Sequence, residues 1–135
     1  MNNFTAHDIN ILKKDGSTVL TTIPPCGYEI RLAATPTKVR SVKLFEEYGK
    51  IPIRGKAQYT GIEFFKKGVK CTDKEAVLAW ELLDKSQVII VSTLSANYMK
   101  EECIDLGLII SPSTEPSDTV RDATGKILGI KALQE

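Results

Sequence analysis

Apolar and polar residues alternate along the first third of the chain, the period of half-buried strands. "HDINILKK" places Ile9 and Ile11 on one side, Asp15-Gly16 supplies a hairpin turn, and "STVLTTI" returns. Pro24-Pro25 ends that strand, and Cys26-Gly27 turns the chain into "YEIRLAAT". A fourth extended segment, "KVRSVKLF", and a fifth, "KIPIRGKAQYTGIEFF", follow, interrupted by Gly49, Pro52, Gly55 and Gly61.

The period then changes. "CTDKEAVLAWELLDKS" opens with Thr72-x-x-Glu75, a capping box, and carries Lys85 in its last turn, which predicts a helix. Leu78, Leu82 and either Trp80 or Leu83 are expected to share one face. "QVIIVS" predicts a buried strand and "SANYMKEECIDLG" a second helix, lined inside by Met99, Cys103 and Leu106 and ended by Gly107 at the C′ position. "LIISPSTEPSDT", with two prolines and five hydroxyl residues, reads as a loop. The tail "VRDATGKILGIKAL" reads as a hairpin, with Gly125 where the turn needs a positive φ. The expected class is α+β, a mainly antiparallel sheet wrapped around two helices with a C-terminal hairpin, in one domain over residues 1–135.

Composition narrows the chemistry. Hydrophobic residues make up 42% and charged residues 26%, and the net charge is +1. That balance is globular and gives no bulk attraction to a nucleic-acid polymer or an anionic membrane. No apolar run is long enough to span a bilayer, and the N-terminus lacks the pattern of a secretion signal. Cys26, Cys71 and Cys103 are odd in number and widely spaced, as reduced cytoplasmic thiols are. His7 is the only histidine and there is no C-x-x-C, so no metal site or cofactor is expected. A Ser-His-Asp arrangement would have to use His7 beside Asp8, which reads instead as the start of the first strand.

A few residues sit in settings that suit an anionic ligand. Arg31 interrupts an apolar alternation, Arg54 lies next to Gly55, and Asn97 and Tyr98 fall early in the second helix. Ser92 and Thr93 occupy the strand-to-helix junction, where free N–H groups can hold a phosphate or accept an ordinary cap. Arg121 and Asp122 lie in the tail hairpin. Guanidinium forks suit phosphate oxygens, and a carboxylate suits ribose hydroxyls. Each residue also has a structural reading as a solvent-facing or turn-fixing group.

Taken in order, "FTAHDINIL", "TIPPCGYEIRLA", "VIIVSTLSAN" and "VRDATGKILGIKAL" resemble the first family of Thoeris anti-defence proteins, small phage products. The resemblance covers about half the chain and is loose over residues 36–86. It implies a non-enzymatic sponge in the host cytoplasm, a homo-oligomer (dimer or hexamer) that sequesters a cyclic ADP-ribose isomer without cleaving it. Some members also bind cyclic oligonucleotides at a separate site. By that resemblance, Arg31, Asn97, Arg121 and Asp122 would contact the ligand, Arg54 matching less cleanly; Ser92 and Thr93 join them from the junction itself, and Trp80, Tyr98, Tyr59 and Phe64 are the candidates for stacking on the base. Two other readings stand beside it: a phage structural or assembly protein with no small ligand, and an enzyme that degrades a nucleotide signal.

Overall fold

The run Ile89-Ile90-Val91 is fully buried, and the strand it forms is what the larger part of the protein is built around. The computed structural model describes residues 1–35, 39–56, 58–102 and 105–135. In chain order the strands are β1 (Asn2–Asn3), β2 (Ile9–Leu12), β3 (Val19–Ile23), β4 (Glu29–Ala34), β5 (Val39–Phe45), β6 (Gly49–Arg54), β7 (Tyr59–Lys66), β8 (Val69–Lys70), β9 (Val88–Ile90), β10 (Leu108–Pro112), β11 (Thr119–Arg121), β12 (Ile127–Ile130) and β13 (Leu133–Gln134). Helix α1 (Asp73–Lys85) precedes β9, and α2 (Thr93–Glu102) follows it. Two compact units result: Met1–Arg31 with Glu63–Glu135, and Leu32–Ile62. The class is α+β, with antiparallel hairpins beside a partly parallel sheet.

In the first unit, β9 lies between β1 and β10, parallel to both, and β13 closes the sheet antiparallel to β10. Ile89 pairs with Ile109 and Ile90 with Ile110. The expectation of a loop at residues 108–112 is therefore corrected: β9, α2 and β10 form a parallel crossover. Two isoleucines in register with two others outweigh the turn-forming composition, and Pro112 is tolerated because it ends the strand. A second sheet runs β11-β12-β2-β3, with the Asp15-Gly16 hairpin joining β2 and β3 as expected. Ile9, Ile90 and Ile130 pack together between these strands, flanked by Ile11, Ile23, Ile110 and Leu133.

The helices follow their local signals at one end and depart from them elsewhere. Thr72 and Glu75 form the capping box. The buried residues of α1 are Ala79 and Leu83 and Leu82 is half-buried, so of the two alternatives Leu83 is the inner one, whereas Leu78 is 55% and Trp80 41% exposed. Trp80 stands edge-on to the buried Phe64, ring centroids 5.3 Å apart. In α2, Ser95, Ala96 and Met99 are buried; the expectation for Cys103 lies outside the described residues. Gly107 does not take the positive φ of a C′ glycine. Its role is spatial, because a Cβ there would lie 2.4 Å from the Ser86 carbonyl oxygen and 2.5 Å from that of Gln87. Cys26 and Cys71 are free thiols.

The second unit contains the β5–β6 hairpin, and the expected fifth segment is in fact two strands, β6 and β7. Thr35 N donates to the Gln58 carbonyl at 2.8 Å. Between 32 and 62 no residue whose burial is described is buried. Among the described residues no helix is long and apolar enough to cross a membrane.

Candidate functional site

Strand β9 runs into α2 through Val91 and Ser92, and the polar groups at this turn are used locally. Ser92 Oγ accepts from Ser95 N at 3.3 Å and donates to Ser95 Oγ at 3.0 Å, while the Ser92 carbonyl accepts from Ala96 N. This is an N-cap, the plainer of the two readings of the junction. Thr93 Oγ1 is shared between Ser111 Oγ at 3.5 Å and Gln134 Nε2 at 3.4 Å, which ties the helix start to β10 and β13.

Ser92 is exposed and lines a cleft of about 590 Å³. The opposite walls come from the segment leading into β2 (His7, Asp8) and from Lys126 and the residues of β12. Asn3, only 1% exposed, fixes the first of these. Its Oδ1 accepts from Thr5 N and Thr5 Oγ1, and its Nδ2 donates to the carbonyls of His7 and Ile23. Asn10, another wall residue, is committed to Leu128 and Thr22. The cleft is thus mainly apolar with a few polar side chains, the usual make-up of a small-molecule site. Its position beyond the carboxyl end of a parallel strand, at a helix start, is where open parallel sheets bind ligands.

The other predicted residues are placed elsewhere. Arg31 Nε and Nη2 donate to the two oxygens of Glu29, and its guanidinium stacks 4.2 Å over the Phe65 ring. The bond to Glu29 raises the Arg31 pKa, so it stays charged. Glu29 and Phe65 also line a hollow of about 250 Å³ with Tyr28 and Lys67. Arg121 Nη1 donates to the Gly125 carbonyl at 2.9 Å. Asp122 Oδ1 accepts from Thr124 Oγ1, Thr124 N and Lys126 N, which hold its carboxyl below the usual range, the Thr124 hydroxyl contributing most. Arg121 and Asp122 therefore shape the tail turn, and Gly125 takes the expected positive φ of 88°. Asn97 is exposed and Tyr98 half-buried on α2, and Arg54 is exposed on β6 of the second unit.

Of the eight predicted residues, only Ser92 belongs to the cleft wall. Reasoning from sequence missed Lys126 and took His7 and Asp8 for the start of a strand. Their proximity to Ser92 depends on how β2 and β12 pair (Ile130 with Ile11), which no local motif announces. Among the described residues no group of three or more His, Cys, Asp or Glu could hold a metal ion. Comparison with protein-family models, curated proteins and solved structures gives no match.

Proposed function

We propose that this protein binds a cyclic ADP-ribose isomer and holds it uncleaved, as an anti-defence sponge of the phage type that its sequence resembles. The observation that carries the reading is the cleft of about 590 Å³ at the β9–α2 turn, a size suited to a nucleotide. The ammonium of Lys126 supplies a partner for phosphate, and the apolar wall of β12 supplies a surface for the base. Arg31 and Arg121 each already serve a partner within the chain, Glu29 and the Gly125 carbonyl. Charge neutralisation therefore passes to Lys126, with Asn97 and Tyr98 as further contacts where protomers of the homo-oligomer meet.

The cleft also gathers Ser92, His7 and Asp8, which favours one other reading, a nucleotide-degrading enzyme. Against it, Ser92 Oγ donates to Ser95 rather than to the imidazole, so its hydroxyl has no base. One experiment separates the two. Protein loaded with the isomer is denatured, and the released ligand is identified by mass spectrometry. Intact ligand supports capture, and a cleaved product supports catalysis. In calorimetry, Lys126→Ala should weaken binding about tenfold, the loss of one charge-assisted contact. No heat from the unaltered protein would overturn the proposal.

A further inference from the structure

Charge is divided unevenly between the two units. Residues 32–62 hold six basic residues (Lys38, Arg40, Lys43, Lys50, Arg54 and Lys56) against Glu46 and Glu47, a net +4, so the remainder carries −3 of the chain's +1. Averaging over the whole chain conceals this.

The register of the β5–β6 hairpin then sorts the charges by face. Directly paired residues share a face of an antiparallel ribbon. One face holds the pairs Arg40–Ile53 and Val42–Ile51; the other holds Val39–Arg54, Ser41–Pro52 and Lys43–Lys50. Val42, Ile51 and Ile53 are half-buried, whereas Lys43, Lys50 and Arg54 are exposed. Lys43 and Lys50 stand directly opposite each other, an arrangement that costs stability through like-charge repulsion. Glu46 Oε2, 3.1 Å from Lys43 Nζ, offsets part of this, on a side chain that is itself 89% exposed.

We propose that this face of the hairpin binds the phosphate backbone of duplex DNA, independently of sequence. A two-stranded ribbon has the width to enter a major groove. Arg54 stands four residues along β6 from Lys50, roughly 13 Å away, so the Lys43–Lys50 pair and Arg54 can meet separate phosphates along the groove wall. A phosphate between Lys43 and Lys50 turns their repulsion into attraction, and binding releases condensed counterions. Ser41 and Pro52 separate the cations and offer no bidentate reader of base edges, so the contact is to the backbone. The inference reverses the expectation, drawn from net charge, that no nucleic-acid polymer is bound. It is independent of the cleft.

The test is fluorescence anisotropy of a labelled duplex of about 20 base pairs, titrated across roughly 50 to 200 mM salt. The unaltered protein should bind at low salt, with log affinity falling against log salt at a slope of about −2 to −3 for three phosphate contacts. The double variant Lys43→Ala with Lys50→Ala should lose about tenfold or more in affinity and flatten that slope by about two. The control pair Lys13→Ala with Lys14→Ala, exposed in the first unit, should change neither. No binding by the unaltered protein overturns the proposal, as does an equal loss in the control pair. Binding of polyglutamate with none of the duplex also overturns it, in favour of an acidic protein partner. Calorimetry of the Lys43/Lys50 variant with the cyclic ADP-ribose isomer keeps the two sites distinct, because either can fail alone.

Discussion

Ile90 and Ile53 are both strand isoleucines with apolar neighbours in sequence, yet they are held differently. Ile90 lies in β9 with no exposed surface, flanked by strands on both sides and packed against Ile9 and Ile130. Ile53 lies in a two-stranded hairpin, half-buried, in a unit where no residue of described burial is fully buried. One region is sustained by burial of side chains, the other by a backbone ladder with only partial burial, a marginal arrangement for an isolated ribbon. The first can hold a cleft because buried strands surround it. The second leaves its side chains at the surface, where charge rather than shape decides what they meet.

That contrast predicts unequal responses to the same truncation. Ile90→Ala should cost about 3 to 4 kcal/mol in urea unfolding, through lost transfer energy and the cavity left behind. Ile53→Ala should cost about 1 kcal/mol or less, as partly exposed positions do. Equal losses would erase the distinction between the regions. Gly107→Ala comes next, at about 2 to 3 kcal/mol, because its Cβ meets two backbone carbonyls that cannot rotate away. A neutral result in thermal unfolding would mean that the Ser86–Gln87 backbone yields, and that this part of the first unit is less rigid than its burial implies.

What was legible in sequence divides along the same line. The Asp15-Gly16 and Gly125 turns and the Thr72–Glu75 box were readable because each is a contract between residues a few positions apart. Strand β10 was not, because "LIISP" becomes a strand only by pairing with β9, across a helix, and its own composition points to a loop. The inner face of α1 was misjudged in part for a related reason. Periodicity identifies a stripe, but the neighbouring elements choose which part of it is buried, and here they took Leu83 as one alternative had it, with Ala79 in place of Leu78. Of the candidate site, only the Ser92 junction announced itself. His7, Asp8 and Lys126 reach the same cleft through sheet pairing, and the basic face of the hairpin through strand register.

The smallest effect tests whether a local device in the first unit acts independently of the core. Thr72→Ala removes the hydroxyl that accepts from Glu75 N and should cost about 1 kcal/mol. Its pH dependence has a definite sign. The Thr72 backbone N–H, donating to Glu75, holds the Glu75 carboxyl below its ordinary value. Deprotonated Glu75 therefore favours the folded state: its contribution is fully present above the unfolded pKa and is lost as pH falls through the lower folded value. Glu75→Gln should thus reduce stability at neutral pH and show a flatter acid limb in urea midpoints than the unaltered protein. A Gln variant that tracks the unaltered protein at every pH would mean that the box is formed in the structure but adds nothing to it. In that case α1 would be held by the burial of Ala79 and Leu83 alone, and the local signal at its start would mark the helix without stabilising it.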